Sequence, residues 1–105
     1  TVEAMTAVAA LGALAQESRL EVFRLLVQRG PDGMPAGGVA EALGIPPATL
    51  SFHLAQLGHA GLVRSRREGR RIIYSADYAG MQELIAFLTE KCCQPAARGG
   101  RARKC

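Results

Sequence analysis

The stretch that decides the fold covers residues 39–75 and reads VAEALGIPPATLSFHLAQLGHAGLVRSRREGRRIIYS. Its first half predicts two short helices joined by a tight, glycine-containing turn, because apolar residues recur at helical spacing on both sides of that turn. Pro47 suits the first turn of the second helix, where its missing N–H is not needed. This helix carries Leu50, Leu54 and Leu57 at positions i, i+4 and i+7. The sequence therefore predicts a helix-turn-helix whose second helix buries a leucine stripe.

The second half of the stretch predicts a β-hairpin. Residues 62–67 and 70–75 flank Glu68-Gly69, and Gly69 can supply the positive φ of a tight turn. Five arginines lie near the predicted tip: Arg64, Arg66, Arg67, Arg70 and Arg71. A helix-turn-helix followed at once by such a hairpin is a winged helix. The predicted fold class is therefore mainly α with a β-hairpin wing.

Composition and charge restrict the class of protein. Of the 105 residues, 49% are apolar, which excludes a disordered tail protein, and no apolar run approaches the ~20 residues of a membrane span. Thirteen Lys and Arg against nine Asp and Glu give a net charge of +4, and eleven of the cations are arginines. Arginine is suited to bidentate contacts with phosphate or guanine. Such a basic stripe on a small domain is typical of nucleic-acid binding.

The second helix of the helix-turn-helix is the predicted DNA-reading element, because the side opposite its leucines is free of acidic residues and rich in small or polar ones. We expect DNA contacts from Thr49, Ser51, Phe52, His53 and Gln56 on this helix and from Arg64, Arg66, Arg67, Arg70 and Arg71 on the wing. Gln56 suits an adenine edge and Phe52 a thymine methyl, whereas the arginines suit phosphates or the minor groove. Three alternatives stay open: Phe52 folded onto a neighbouring element, His53 in a packing or capping role, and simple solvation of the arginines.

The segments before this unit predict a dimer surface and a further helix. Residues 1–15 are apolar on most faces, which favours a helix at a homodimer interface over an ordinary core helix. A dimer also places two reading helices about one DNA turn apart, on a palindrome. Ser18 and Glu21 have the spacing of a capping box and predict the start of the next helix. Residues 31–38 contain three Gly and two Pro, and predict a loop.

The end of the chain defines the predicted domain boundary. Asp77 can cap a last helix that extends to about Cys93, and Pro95 opposes its continuation. Residues 1–93 are therefore predicted to form a winged-helix domain for DNA binding and dimerisation. Residues 94–105 are predicted to be a flexible basic tail that carries a thiol.

The order of the motifs carries a resemblance to a known family. The matching segments are LA (14–15), SRL (18–20), LL (25–26), VAEALG (39–44), LSFHLAQL (50–57), AGLV (60–63), RREGR (66–70) and Tyr74. Together they resemble the ArsR/SmtB family of metalloid-responsive repressors over roughly residues 3–93. The resemblance implies a dimeric winged helix that represses an operon until an effector releases it from DNA.

The chain departs from this family at its two best-known effector sites. Arsenic sensors of the family carry a Cys-x-Cys motif on the helix before the reading helix, where residues 36–40 contain no thiol. Zinc sensors use His and acidic side chains on the last helix, which has no His here. Pro46 also stands where the family usually has a Ser or Thr cap. If an inorganic effector is sensed, the C-terminal thiols are the remaining candidate ligands.

All three cysteines lie in the last fourteen residues: Cys92, Cys93 and Cys105. With no export signal in the sequence, we expect a cytoplasmic chain with free thiols. Three thiolates suit trivalent arsenic better than zinc, which favours four ligands. The resemblance agrees, because some atypical members of the family bind As(III) through a Cys-Cys pair at the end of the last helix and a third cysteine nearby.

We therefore expect As(III), with Sb(III) as an alternative, to be the effector on these thiols, and Cys105 can come from either subunit. The sequence leaves open a two-thiol site for organoarsenicals on Cys92 and Cys93, thiol oxidation as the signal, and cysteines without function. A metalloid-carrying or protein-docking module is the interpretation from another class. Enzymatic activity is not indicated, because the sequence offers no paired carboxylates in a credible cleft and no Gly-rich phosphate loop.

Overall fold

The computed structural model describes residues 3–91 of the chain. The elements in chain order are α1 (Ala4–Leu14), α2 (Glu17–Arg29), β1 (Met34–Pro35), α3 (Ala36–Leu43), α4 (Pro47–His59), β2 (Val63–Glu68), β3 (Arg71–Ala76) and α5 (Tyr78–Leu88). Helices α3 and α4 form the helix-turn-helix, and β2 and β3 form the wing. The predicted fold class is confirmed: the domain is mainly helical and carries a small antiparallel hairpin.

The core is a single cluster to which every helix contributes. Its largest fully buried side chains are Leu26, Leu50, Leu57, Leu62, Val22 and Val39. Helix α1 packs on this core through small residues, because Ala7, Ala10 and Ala13 face inward. Its large side chains face outward instead, with Met5 81% and Val8 67% exposed. The helix is therefore apolar on both sides, as predicted, and leaves one apolar side uncovered.

Two helix ends differ from the prediction. The N-terminal cap of α2 is Gln16, whose side chain accepts a hydrogen bond from the Arg19 amide, so the predicted capping box at Ser18 and Glu21 is wrong. The cause is that α2 begins two residues earlier than a Ser18 cap requires, at Glu17, which places Ser18 inside its first turn. Helix α5 begins as predicted, with the Asp77 side chain accepting from the Gly80 amide. It ends at Leu88 rather than near Cys93.

The sheet has one strand more than predicted. Within the predicted loop, Met34 and Pro35 form β1, which pairs antiparallel with β3, and the strand order is β1-β3-β2. Helix α3 then starts directly after β1. In the hairpin, Glu68 pairs with Arg71, so the turn residues are Gly69 and Arg70 rather than Glu68 and Gly69. Gly69 has φ +62°, the positive value expected of the turn glycine.

Within residues 3–91 no helix is long and apolar enough to cross a membrane. The predicted domain boundary after residue 93 lies outside the described residues, as do Cys92, Cys93 and Cys105.

Candidate nucleic-acid interface

The turn of the helix-turn-helix is fixed by backbone geometry. Gly44 follows α3 in the left-handed conformation, with φ +68° and ψ +34°. Its amide donates to the Ala40 carbonyl, which ends α3 in the manner of a glycine C-cap. Pro47 then occupies the start of α4 as predicted, and Leu50, Leu54 and Leu57 are all buried. The opposite side of α4 is therefore the side presented to solvent.

The edge of α4 nearest the wing forms a groove with the hairpin. Ser51 and Ala55 line it from the helix, while Arg64, Ser65 and Tyr74 line it from the wing. The groove has a volume of about 240 Å³. Ser65 and Tyr74 are a cross-strand pair, so they present side chains on the same face of the hairpin. The predicted site residues Ser51 and Arg64 are thus brought together.

The outward and far edges of α4 carry the other predicted contacts. Thr49 is exposed, and Phe52 is 57% exposed, so the alternative in which Phe52 folds onto a neighbouring element is not what the described residues adopt. Gln56 is half-buried and lies on the α1 side of α4, in a pocket that Ala9 and Arg19 also line. Gln56 is therefore turned away from the wing groove, whereas Phe52 projects from the middle of the free side.

His53 is the one predicted reading residue that the structure places in the core. Only 6% of its surface is exposed, which fits the packing alternative, and a direct DNA contact of His53 stays a prediction. Within the described part of the chain, its buried Nδ1 has no hydrogen-bond partner. Burial, and secondarily the positive charge of Arg19, lower the pKa of His53 below its usual 6.5.

The five wing arginines are all exposed, as the prediction of a cationic wing requires. They differ in the hydrogen bonds that their guanidinium groups make within the protein. The Arg66 guanidinium donates to Glu68 Oε2 and to the carbonyl oxygens of Pro31 and Asp32. Among the residues described, Arg64, Arg67, Arg70 and Arg71 have no side-chain hydrogen bonds of this kind. The predicted DNA contact of Arg66 therefore competes with contacts inside the protein.

Two further residues lie where a ligand of this groove would touch them, and sequence reasoning missed both. His59 lines the groove from the last turn of α4, and Tyr74 lines it from β3. The spacing of Ser51, Ala55 and His59 at i, i+4 and i+8 was the available signal, because it places all three on one edge of a helix. For Tyr74, the strand pairing with Ser65 was needed.

The thiol site cannot be located from the described residues, because its three cysteines lie outside them. Within residues 3–91, no group of three or more His, Cys, Asp or Glu side chains is close enough to hold a metal ion. The As(III) ligand set therefore stays a prediction.

Comparison with protein families and curated proteins identifies relatives over most of the chain. A family model described as a helix-turn-helix domain matches residues 14–66. The HTH-type transcriptional regulator YgaV of Escherichia coli is 32% identical over 87 residues, which cover 83% of this chain and 86% of that protein. The transcriptional activator HlyU of Vibrio cholerae is 31% identical over 88 residues, covering 84% and 79% of the two chains.

Solved structures give the same result. An ArsR-like transcriptional regulator from Rhodococcus superposes with a TM-score of 0.72 at 28% identity, covering 80% of this chain and 76% of that one. A homodimeric winged helix-turn-helix domain from Mycobacterium bovis gives 0.65 at 31% identity, covering 82% and 80%. A structure described as a possible transcriptional regulator for arsenical resistance gives 0.64 at 29% identity, covering 75% and 79%.

Proposed function

Because the chain belongs to the ArsR-like winged helix-turn-helix transcriptional regulators, we propose that it is a cytoplasmic homodimer that represses transcription from a palindromic operator. The observation that carries the proposal is the groove between α4 and the wing. One side of this groove is a helix without a single acidic residue, and the other is a hairpin with five exposed arginines. A helix with small polar residues reads base edges in the major groove, and guanidinium groups neutralise the flanking phosphates.

Dimerisation is supported by the uncovered apolar side chains of α1 and α5. The exposed ones are Met5, Val8 and Leu11 on α1 and Ile85 and Leu88 on α5. The two helices contact each other, so these side chains belong to neighbouring surfaces of the domain. The solved relative from Mycobacterium bovis is homodimeric. A second copy on this surface removes apolar area from water and doubles the number of reading helices.

Trivalent arsenic is the proposed effector, with Cys92, Cys93 and Cys105 as its ligands and Sb(III) as an alternative metalloid. The support is the donor chemistry of three thiols and the similarity to the solved regulator described in connection with arsenical resistance. Cys92 follows Leu88 by only four residues, so ligands there are close in sequence to the apolar surface of α5. A metalloid that binds these thiols more tightly in the DNA-free arrangement of the dimer releases the operator.

Thiol oxidation is the second candidate signal. A relative from Vibrio cholerae, HlyU, has been solved in a form described as reduced, with a TM-score of 0.64 at 31% identity over 86% of this chain and 92% of that one. Two thiols of the present chain would pass two electrons and two protons to peroxide, giving one disulfide and two water molecules. This candidate shares the DNA-binding surface and differs only in what the cysteines respond to.

The test is a binding titration of the full chain with labelled DNA from its own promoter, with arsenite, with peroxide and with neither. We expect tight binding at low salt, a steep loss of affinity with salt, and release by arsenite. The double variant Cys92→Ser/Cys93→Ser should bind DNA like the wild type but resist release by arsenite. Cys105→Ser separates the two sites. Loss of release by arsenite indicates the three-thiol site, whereas unchanged release by arsenite and by a phenylarsenical indicates the two-thiol site.

Each contrary result removes a different part of the proposal. If the wild type binds no promoter DNA at low salt, the regulator itself is excluded and a docking or carrier module replaces it. If the double variant is still released by arsenite, the metalloid site is excluded. Release by peroxide but not by arsenite favours the redox candidate.

A further inference from the structure

We propose that Arg66 is a positioning residue that locks the wing to the body of the domain, while its neighbour Arg67 is a phosphate ligand. The inference rests on the proposed DNA binding and divides the five wing arginines into two kinds. Sequence alone treats Arg66 and Arg67 alike, because they are adjacent, identical in chemistry and equally part of the arginine cluster.

The guanidinium of Arg66 is held on three sides. Its Nη2 donates to the Asp32 carbonyl at 2.8 Å and its Nη1 to the Pro31 carbonyl at 3.3 Å. Its Nε donates to Glu68 Oε2 at 3.1 Å, and the same carboxylate oxygen lies 3.0 Å from Nη2. Every nitrogen of the fork therefore has a partner within the protein. A phosphate bound here would have to displace these partners and would meet the negative charge of Glu68.

The loop that Arg66 grips is itself fixed to the sheet. Gly33 is buried with φ +71°, and a Cβ at this position would collide with the carbonyl oxygen of Tyr74. Directly after it, β1 pairs with β3. The carbonyl groups of Pro31 and Asp32 are therefore presented on a backbone that lies against β3. Arg66 reaches this backbone from β2, and so ties the outer strand of the hairpin to a rigid part of the domain.

The placement of β2 explains why such a tie is useful. The strand order β1-β3-β2 makes β2 an edge strand with a neighbour on one side only. Its inner end is anchored by buried Val63, but the residues from Arg64 to Glu68 are all exposed. Arg66 also lies opposite Ile73, which is buried, so the arginine stem and the isoleucine share one face of the sheet. In the part of the chain that the structure describes, no other side chain of β2 makes a hydrogen bond to the body of the domain.

Arg67 differs from Arg66 in the direction of its side chain. Successive residues of a strand point to opposite faces, so Arg67 shares the face of Ser65 and Tyr74, which line the groove beside α4. Its cross-strand partner is Ile72, which is exposed. Among the described residues its guanidinium has no side-chain hydrogen bond. Arg67 is therefore available to DNA on the side where α4 lies, and Arg66 is occupied on the other side.

Charge-conserving and charge-removing substitutions at both positions test this division. Lysine keeps the positive charge but cannot satisfy two carbonyls and a carboxylate with a planar fork. In the free protein, we expect amide hydrogen exchange across residues 64–72 to accelerate about 5-fold in Arg66→Lys. This factor corresponds roughly to the free energy that an exposed network of charged groups contributes to stability. In Arg67→Lys the exchange should stay at the wild-type rate. This readout does not depend on any DNA.

The slope of log affinity against log salt on promoter DNA separates positioning from phosphate contact. Removing one phosphate contact lowers the slope by about 0.9. We expect that loss in Arg67→Gln, whereas Arg66→Gln should keep the wild-type slope and lose about 5-fold in affinity at every salt concentration. Equal loss of slope in the two Gln variants, or unchanged exchange in Arg66→Lys, overturns the proposal. A wild type that binds no promoter DNA refutes the proposed function instead, and the exchange rates then still decide whether Arg66 is an anchor.

Discussion

Two surfaces of this small domain differ in their chemistry: the α4–wing side and the α1–α5 side. On the α4–wing side the exposed large residues are mostly polar or cationic, with Phe52 and Ile72 as the large apolar exceptions. On the α1–α5 side the exposed large residues are aliphatic, with Val8 and Leu88 both more than half exposed. Both surfaces are unfavourable for an isolated monomer, one because like charges repel and the other because apolar area faces water.

The difference shows what each surface needs in order to be stable. A polyanion relieves the repulsion on the first surface, and the gain depends on salt. A second copy of the chain covers the second surface, and that gain depends little on salt. Each contact also strengthens the other, because two linked reading helices bind one DNA molecule far more tightly than a single helix does. Substitutions that disrupt the apolar side should therefore appear mainly as a loss of DNA affinity.

The largest expected effect comes from a charge on the apolar side. Val8→Glu places a carboxylate on a side chain that is 67% exposed and points away from the core. The monomer should keep its fold, but the charge would lose its hydration in a dimer interface. We expect the sedimenting mass to fall to that of the 11.1 kDa monomer and the affinity for promoter DNA to fall about 100-fold.

The matched control is Gln28→Glu, which adds the same charge at an exposed position of α2. It should leave the protein dimeric and change DNA affinity only slightly, through net charge. A Val8→Glu protein that remains dimeric would show that α1 is not part of the interface.

A backbone change under the wing should have the next largest effect. Gly33→Ala introduces a Cβ against the Tyr74 carbonyl at a residue with φ +71°. We expect the free energy of unfolding to fall by about 2 kcal/mol, because the loop must move off β3 or adopt a strained conformation. Urea unfolding measures this change.

The control for Gly33→Ala is Gly37→Ala in α3, where nothing lies within 4 Å of the added Cβ. Alanine is the better helix former, so this substitution should stabilise the protein by about 0.5 kcal/mol. If Gly33→Ala and Gly37→Ala changed the free energy of unfolding by the same amount, the close approach of the loop to β3 would be contradicted. Because that loop also presents the partners of Arg66, only Gly33→Ala should accelerate hydrogen exchange in the wing.

Local signals were enough for most of the fold. The leucine stripe and Pro47 predicted α4, and Gly69 with its β-branched neighbours predicted the wing. Strand β1 was missed because Met34 and Pro35 owe their strand conformation to pairing with Tyr74 and Ile73, about forty residues away in sequence. The end of α5 was placed too late because the sequence offers Pro95 as the stop signal, and no Gly or Pro lies between Leu88 and that proline.

The sequence predicted which types of residue make up the candidate site, but not the direction in which each side chain points. His53 lies three residues after Leu50 and four before Leu57, so helical geometry already places it at the edge of the buried stripe. The sequence leaves a DNA contact and a packing role open for this residue, and its burial fits the packing role. For Arg66, no local pattern marks the Pro31 and Asp32 carbonyls as partners, since those contacts span more than thirty residues.

The smallest expected effect concerns the pH dependence of the α4–wing side, which rests on the buried His53. Burial and the nearby Arg19 favour the neutral imidazole, so the pKa of His53 is lower in the folded chain than its usual 6.5. The unfolded chain then binds the proton more readily, and the free energy of unfolding decreases as the pH falls below about 6.5 towards the folded pKa. We expect the Tm of the wild type to drop between pH 7.5 and 5.5 by more than that of His53→Leu, which cannot titrate at this position.

His59→Gln, an exposed change on the same helix, should retain the wild-type drop. If His53→Leu loses as much stability as the wild type over this range, protonation of the buried imidazole is not what weakens α4.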